Sequence, residues 1–482
     1  MVRLVESWVR LLGRAHRPRA AAVVAACMAD EQSPPERVVV VTDEMAYGPH
    51  AVARREGQKV LFVRGAAPYE EVEVVVREER ERFAFADLVR VLRPSPSRRP
   101  APCPYLPRCG GCPWQHLDYP AQLDAKRQIV AEQLRRIGGL SVAVAAPLPS
   151  PHQLGYRRRI KLRVAAGTVG FHAAASHDLV SVAHCLLAEP EVDAALPALD
   201  LLVAALASLV RRLEIVGGAP GGRVVVAGEI EGALATGDAA RAAAWLAAHD
   251  AIAGLALRGR GWARTWGEVG VGVAADDGAP LLVRAPGFTQ VNAAVNRLLV
   301  DAVVQLAGPR PGLRVLDLYA GAGNLSLPMR RHGAHVTAVE QDRAAAHDAR
   351  ANAAAESGPP LRVLADRSEI ALRRLVAAGE RFDVVVLDPP RGGAAACVPA
   401  LLALRAPKLV YVSCDPATLA RDLRALTGAY RVDIVQPLDM FPHTYHVETV
   451  VGATLSCDAE PPDVSSQRRF DSASAPRRRR TS

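Results

Sequence analysis

Hydrophobic residues near the start of the chain fall in short valine-rich runs, and glycine or proline separates one run from the next. Short runs bounded in this way are typical of β-strands. Strands are predicted at residues 38–42, 59–64, 71–77 and 86–92. Because such strands follow one another so closely, we predict a small β-barrel of the oligonucleotide-binding type over residues 37–95.

The pattern changes after a linker rich in proline, serine and arginine at residues 94–104. Apolar residues then recur at helical spacing, which predicts a helix over residues 121–137. Further on, strand-like and helical stretches alternate, among them residues 156–164, 196–213 and 223–229. We therefore predict a central domain of mixed structure over residues 96–285.

From residue 286 onward, short apolar strands alternate with helices. The strands are predicted at residues 315–318, 336–340, 384–387 and 409–413. Continuous apolar strands between helices indicate a parallel sheet that is covered on both faces. The predicted fold class is α/β, with a Rossmann-like domain over residues 286–455.

Composition and charge exclude a wholly disordered protein, and they predict no membrane-spanning helix. The chain has 482 residues with 59 basic and 50 acidic side chains, a net charge of +9, and half of its residues are hydrophobic, which excludes wholesale disorder. The excess of arginine over lysine fits either a GC-rich genome, which composition alone favours, or an anionic partner. Apolar runs stay below the roughly 18 residues of a membrane span. Residues 1–36 and 456–482 are predicted to be a disordered extension and a disordered basic tail.

A glycine-rich turn at residues 317–324 follows the first strand of the α/β half. Gly321 and Gly323 would let the backbone approach a ligand closely, and Glu340 after the next strand could accept hydrogen bonds from ribose hydroxyls. Two glycines instead of three argue against NAD and fit S-adenosylmethionine, which has no pyrophosphate. Asp388, in Asp-Pro-Pro-Arg, ends a third strand at the edge where such sheets bind ligands.

Cys414 directly follows the fourth strand and precedes a helix, where backbone N–H groups can polarise a thiol. A thiolate beside a methyl donor is the arrangement needed to methylate carbon-5 of a pyrimidine. Its addition to carbon-6 makes carbon-5 nucleophilic enough to attack the methyl group, and a base must then remove the carbon-5 proton. Glu448 is the predicted base, with His443 and His446 as alternatives.

Eight cysteines are too few for a disulfide scaffold in so long a chain, yet three of them lie within ten residues. Cys103, Cys109 and Cys112 have the spacing C-x5-C-x2-C, which predicts a metal site in a reducing compartment. Thiolates suit either zinc or an iron–sulfur cluster, and the spacing alone does not separate the two.

Together these motifs resemble the bacterial RNA uracil-5-methyltransferases that carry an N-terminal TRAM domain and a [4Fe–4S] cluster, the type that modifies 23S ribosomal RNA. The resemblance covers nearly all of residues 37–452. The motifs that carry it lie at residues 103–117, 156–159, 288–292, 317–324, 388–391, 413–418 and 438–448.

The resemblance implies that Cys414 is the nucleophile and Glu448 the base. It implies contacts to S-adenosylmethionine from Gln290, Tyr319, Asn324, Glu340 and Asp388. It adds Cys185 as the fourth cluster ligand, favours [4Fe–4S] over zinc, and makes residues 37–95 an RNA-binding TRAM barrel. Asp415 stands where many family members have asparagine, and Cys27, Cys397 and Cys457 receive no role.

Basic residues on the predicted strand at 156–164 are candidates for RNA contacts. Arg157, Arg159, Lys161 and Arg163 alternate along it, so one face would present up to four cations to phosphates. The alternative is a solvated edge strand whose charges prevent aggregation.

The expected reaction is transfer of a methyl group from S-adenosylmethionine to carbon-5 of a uridine in ribosomal RNA, through a Cys414 adduct at carbon-6. The target base is expected to flip into the site, and the cluster to act in folding or RNA positioning. Two alternatives are the same reaction on transfer RNA and a non-catalytic RNA-binding iron–sulfur protein. The protein is expected to be a cytoplasmic monomer with structured RNA, and no membrane, as its partner.

Overall fold

The computed structural model describes residues 37–54 and 59–456. The predicted extension at 1–36 and the tail beyond residue 456 lie outside the described residues, as do Cys27 and Cys457. In the part of the chain that is described, no helix has the length and apolar character needed to cross a membrane.

Five strands at the N-terminal side form a closed barrel. They are β1 (Arg37–Met45), β2 (His50–Ala53), β3 (Val60–Arg64), β4 (Glu71–Glu79) and β5 (Phe83–Arg93), in the order β1-β2-β3-β5-β4. Small apolar side chains such as Ala51, Val63 and Val72 fill the interior completely buried, because alternate residues of a strand face opposite sides. The predicted barrel is confirmed, and β2 is a strand that the sequence did not reveal because it has only four residues.

Helix α1 (Tyr119–Gln133) follows the cysteine-bearing segment. It begins two residues before the predicted start because the Asp118 side chain caps it, accepting a hydrogen bond from the Ala121 N–H at 2.8 Å. A π-helical turn (Leu134–Gly138) extends it, and Gly139 ends it at a φ of +66°.

The middle of the chain forms a seven-stranded sheet. Its strands are β6 (Arg159–Ala165), β7 (Thr168–His172), β8 (Leu179–Val180), β9 (Val210–Ala219), β10 (Arg223–Ile230), β11 (Ile252–Gly259) and β12 (Trp262–Gly267), in the order β12-β11-β10-β9-β6-β7-β8. Its helices are α2 (Pro190–Ala194), α3 (Leu196–Ala205) and α4 (Asp238–Ala247). The stretch at 196–213, which mixes both patterns, therefore contains α3 and the start of β9.

The expectation that four cations share an exposed face of β6 is wrong. Strand β6 begins at Arg159, whose side chain is only 5% exposed and pairs with Glu214 on the neighbouring strand β9. Arg157 precedes the strand, and its Nε atom is buried without a hydrogen-bond partner among the described residues. Of the four, Lys161 and Arg163 are exposed.

A second seven-stranded sheet dominates the C-terminal half, beside the two-stranded sheet of β13 (Gly270–Val273) and β14 (Leu281–Arg284). Its strands are β15 (Arg314–Leu318), β16 (His335–Val339), β17 (Arg362–Leu364), β18 (Val384–Leu387), β19 (Lys408–Ser413), β20 (Tyr430–Leu438) and β21 (Glu448–Leu455). Its helices are α5 (Ala293–Ala307), α6 (Ser326–Arg331), α7 (Arg343–Ala354), α8 (Ser368–Ala377), α9 (Val398–Leu404) and α10 (Pro416–Leu426). The strand order is β17-β16-β15-β18-β19-β21-β20.

Strands β15 to β19 pair in parallel, and β21 runs antiparallel to both β19 and β20. Residues that alternate along one strand join different hydrophobic cores. Leu409 and Tyr411 pack with α8, α9 and α10, whereas Val410 and Val412 pack with α5 and α6. The predicted α/β sheet with helices on both faces is confirmed, with two antiparallel strands added at one edge.

Helix α1 connects the N-terminal part of the chain to the loop between β20 and β21. Lys126 of α1 and Asp439 of this loop form an ion pair, with both side chains fully buried. Lys126 Nζ also donates a hydrogen bond to the Phe441 carbonyl at 3.0 Å. Burial lowers the pKa of Lys126, and the Asp439 carboxylate opposes that effect.

We expect Lys126→Ala to lower the free energy of unfolding by about 3–5 kcal/mol, because it leaves the Asp439 carboxylate buried without its cation. Replacing both residues, Lys126→Met with Asp439→Leu, should recover most of that loss, since no charge then remains buried. Urea unfolding followed by tryptophan fluorescence measures both, with Lys161→Ala as the exposed-cation control. A loss below about 1 kcal/mol for Lys126→Ala would show that Asp439 is not left as an uncompensated buried charge.

Candidate active site

A tight turn leads from β15 towards α6 at the carboxyl edge of the second sheet. Tyr319, Gly321 and Gly323 have φ values of +64°, +56° and +102°. The glycines adopt this region without steric cost, whereas Tyr319 is held there under strain, as is common at functional sites. The Gly321 N–H donates to Glu340 Oε2 at 2.9 Å. The structure therefore brings the glycine turn and Glu340 together.

Two side chains of this turn have partners that the sequence reasoning missed. Asn324 and Asn296 of α5 exchange two amide hydrogen bonds, at 2.9 and 3.0 Å. The Tyr319 hydroxyl lies 3.3 Å from the sulfur of Cys397, a buried residue that had no assigned role. A polar residue at a core-facing position of α5 was the available signal for Asn296, whereas nothing local marks Cys397.

Asp317 of β15 is a buried carboxyl group directly below the turn, and it was not among the predicted site residues. Ser326 donates a hydrogen bond to its Oδ2 atom, and Oδ1 has no partner among the described residues. Burial raises the pKa of Asp317 to about 7, and the nearby Asp388 and Glu340 carboxylates add to the effect. Three acidic side chains, Asp317, Glu340 and Asp388, therefore lie near one another at this edge of the sheet.

Strand register places Cys414 opposite Glu448. Ser413, the last residue of β19, pairs with Thr449 of the antiparallel strand β21. The next residues along each strand are Cys414 and Glu448, so they meet at the end of this ladder. Asp388 follows β18, which runs parallel to β19 on its other side. The structure therefore brings these three predicted site residues together.

The charges of these groups act on one another. Burial, together with the Glu448 and Asp388 carboxylates, raises the pKa of Cys414 to about 12, and Arg391 opposes this effect. The pKa of Glu448 is raised well above its usual range by burial and by Asp388. Burial also raises the pKa of Asp388 to about 7. A pKa raised in this way favours the protonated thiol at neutral pH.

Asp415, next to the thiol, joins helix α10 to the barrel. One carboxylate oxygen caps the helix by accepting hydrogen bonds from the Ala417 and Thr418 N–H groups, at 3.0 and 2.9 Å. The other accepts the hydroxyl of Tyr47, from the β1–β2 loop, at 3.0 Å. The barrel therefore contacts the residue that follows Cys414.

The two histidines differ in their surroundings. His443 is buried, and its ring Nδ1 lies 3.3 Å from Arg99 and 3.1 Å from Gln122, both in the N-terminal part of the chain. His446 lies 3.4 Å from an Arg391 nitrogen and stacks against Tyr445 with ring centroids 4.3 Å apart. Burial lowers the pKa of both histidines to about 4, so both are neutral at pH 7.

Gln290 lies half-buried in the connection between β14 and α5. Two residues later, Asn292 caps α5, accepting a hydrogen bond from the Val295 N–H at 3.2 Å. Phe288, at the start of the same connection, is 66% exposed. This segment therefore combines a fixed helix start with an exposed aromatic ring.

The four predicted cluster cysteines are half-buried free thiols. The backbone of Cys109 pairs with that of Ala173, just after β7, in an isolated antiparallel β-bridge. The Cys109 thiol interacts electrostatically with those of Cys103, Cys112 and Cys185. Backbone N–H groups also donate to the sulfurs of Cys109 and Cys185. Within residues 37–54 and 59–456, no three His, Cys, Asp or Glu side chains are arranged so that they could hold a metal ion.

We expect Glu448→Gln to speed alkylation of Cys414 by iodoacetamide at pH 9. Removing the neighbouring carboxylate lowers the pKa of the thiol, so a larger fraction is thiolate at that pH. Peptide mass spectrometry reports modification at Cys414, and the exposed change Glu231→Gln is the control. An unchanged rate would show that Glu448 does not act on the thiol.

Comparison with known proteins gives consistent results. The family model described as tRNA (Uracil-5-)-methyltransferase matches residues 283–455. A protein of Thiobacillus denitrificans, named 23S rRNA (uracil(1939)-C(5))-methyltransferase RlmD, is 36% identical over 415 residues, covering 83% of this chain and 96% of its own. The protein of that name from Pseudomonas entomophila is 38% identical over 425 residues, covering 85% and 92%.

A solved structure shows the same likeness in three dimensions. The crystal structure of Pyrococcus abyssi tRNA (uracil-54, C5)-methyltransferase, in complex with S-adenosyl-L-homocysteine, matches with a TM-score of 0.66 at 25% identity. The match covers 86% of this chain and 98% of that one. From its identity to these relatives over more than four-fifths of its length, the chain belongs to the RlmD family of RNA uracil-C5-methyltransferases.

Proposed function

We propose that this protein transfers a methyl group from S-adenosylmethionine to carbon-5 of a uridine in 23S ribosomal RNA. The observation that carries the proposal is the position of Cys414 opposite Glu448, beside Asp388 at the carboxyl edge of the sheet. Ribosomal RNA is favoured over transfer RNA because relatives at 36–38% identity carry names for 23S rRNA, whereas the transfer-RNA enzyme is 25% identical.

The glycine turn and its neighbours fit the methyl donor. S-adenosylmethionine supplies the methyl group from its sulfonium. Glu340 is oriented by the N–H groups of Gly321 and Asp342, at 2.9 and 2.7 Å, and its remaining lone pairs are suited to ribose hydroxyls. We assign the remaining contacts to Gln290, Tyr319, Asn324 and Asp388.

In the proposed mechanism, the Cys414 thiol first passes its proton to the Asp388 carboxylate. The thiolate then forms a bond to carbon-6 of the uracil, and the electrons of the C5–C6 double bond move onto the O4 enolate. Carbon-5 then bonds to the methyl group with the electron pair of the enolate, while the bond between that methyl and the sulfonium sulfur breaks and its electron pair stays on the sulfur. The Glu448 carboxylate next removes the carbon-5 proton, and the electron pair restores the double bond as the carbon–sulfur bond breaks.

An aromatic rim beside Cys414 suits a flipped nucleobase. Tyr445 packs edge-on against Tyr47 with ring centroids 5.9 Å apart, and it also contacts His446. Unstacked bases of RNA loops bind to aromatic side chains of this kind. We propose that the barrel is a TRAM domain that holds RNA over this rim, and that Lys161 and Arg163 contact phosphates.

We propose that Cys103, Cys109, Cys112 and Cys185 hold a [4Fe–4S] cluster. Their mutual electrostatic interactions and the N–H donors at two of the sulfurs support this assignment. A cluster offers each cysteine its own iron atom, so the four sulfurs need not converge on one ion. A cluster here would help to fold the segment that carries Trp114. A reducing cytoplasm would keep such thiolates from forming disulfides. We propose that the protein acts there as a monomer.

We expect Cys414→Ala to abolish methylation, with a rate at least about 10³-fold lower, because no other thiol replaces the nucleophile. Glu448→Gln should instead form the adduct and fail to release it, which leaves protein and RNA covalently joined on a denaturing gel. Wild-type protein should give the same stable adduct only with RNA that contains 5-fluorouracil. Methylation of 23S rRNA by Cys414→Ala, with Cys27→Ala as control, would contradict the mechanism.

Purified anaerobically, the wild-type protein should contain about four iron and four sulfide per chain. Changing Cys103, Cys109, Cys112 or Cys185 to serine should remove the iron and the brown colour, whereas Cys27→Ser should keep both. Iron and sulfide assays with visible absorption check this. About one zinc per chain without sulfide would overturn the cluster in favour of a zinc site.

A further inference from the structure

A cleft of about 450 Å³ lies apart from the proposed catalytic residues, where residues 99–102 meet residues 151–154 and His443. We call it the linker cleft. Its apolar lining comes from Pro100, Pro102, Pro151 and Leu154, and its polar lining comes from Arg99, His152, Gln153 and His443. Flat apolar walls with a few polar groups are typical of small-ligand sites.

The hydrogen bonds of His443 fix which ring nitrogen carries the proton. Gln122 Oε1 accepts the backbone N–H of His443 at 2.7 Å, so its amide nitrogen faces the ring Nδ1. The Arg99 guanidinium, which can only donate, also faces Nδ1 at 3.3 Å. Nδ1 is therefore the acceptor, and in the neutral ring the proton sits on Nε2.

This leaves Nε2–H as a donor with no partner. The side chain of His443 is 1% exposed, and its Nε2 atom is buried without a hydrogen-bond partner among the described residues. A buried donor normally finds an acceptor, so each exception calls for an explanation. Here an acceptor from outside the chain would complete the ring's hydrogen bonds.

The cleft is also connected to the catalytic centre. His443 lies in the loop between β20 and β21, and Glu448 begins β21 five residues later, so their backbones are separated by at most about 18 Å. An RNA strand bound at Cys414 needs to extend by only a few nucleotides to span a separation of this size. A carbonyl oxygen or ring nitrogen at the edge of a nucleobase would supply the acceptor that the Nε2–H of His443 lacks.

We propose that the linker cleft binds a nucleobase that flanks the target uridine, with its ring between the proline and leucine walls and its acceptor edge towards Arg99 and His443. The proposal rests on the proposed function and deepens it, because the cleft would then read part of the RNA sequence. Leu154 is 41% exposed and takes no part in the polar contacts, so it can be changed with little risk to folding.

A double-mutant cycle tests this proposal. Synthetic RNA hairpins would carry the target uridine with one abasic site at each flanking position in turn, and fluorescence anisotropy would measure Kd. At one position, we expect the abasic site to weaken wild-type binding roughly tenfold, the scale of one stacked base. In Leu154→Ala that loss should be at least threefold smaller, while Leu201→Ala, another exposed leucine, should show the full loss.

Each outcome decides between the possibilities. Coupling between Leu154 and a single flanking position supports the base-binding cleft. An equal loss in all three proteins at every position overturns it, as does a Leu154→Ala effect that is the same for every RNA. If wild-type protein methylates no uridine in these RNAs or in 23S rRNA, the proposed function fails, whereas methylation without coupling refutes only the cleft.

Discussion

The loop between β20 and β21 is the constraint on which the catalytic edge depends. The buried Lys126–Asp439 ion pair fixes its start, and the Trp114 N–H donates to the His443 carbonyl at 3.0 Å near its middle. Further hydrogen bonds to the loop come from Gln122 and Tyr156. Because β21 begins at Glu448, the position of that carboxyl group follows from contacts made by segments more than 280 residues earlier.

Burial raises the pKa of the acidic groups and of the thiol at this edge of the sheet. Asp388 adds to the effect of burial in raising the pKa of both Asp317 and Glu448, and Arg391 offsets part of the effect at Glu448. The same burial and the neighbouring carboxylates raise the pKa of the Cys414 thiol, which favours its protonated form. A carboxyl group whose pKa is raised is also a better proton acceptor once it ionises, which suits Glu448 to the removal of a carbon-bound proton.

Local patterns predicted most of the second sheet, because its parallel strands are apolar runs that end at a glycine turn, Asp388 or Cys414. The same patterns could not predict the burial of Arg159, since its partner Glu214 comes from a strand 55 residues later. They also missed the four-residue strand β2 and the contact between Tyr319 and Cys397. Such features depend on which segments meet in the fold, and local spacing does not encode that.

The aspartate beside the nucleophile has a physical explanation. Asp415 caps α10 with one oxygen and accepts the Tyr47 hydroxyl with the other. An asparagine has a single acceptor oxygen, so it could cap the helix but would turn an N–H₂ donor towards the tyrosine. Burial raises the pKa of Tyr47, which keeps its hydroxyl a donor. Asp415 and Tyr47 are therefore complementary as acceptor and donor. Their hydrogen bond fixes the residue that follows Cys414 relative to the barrel.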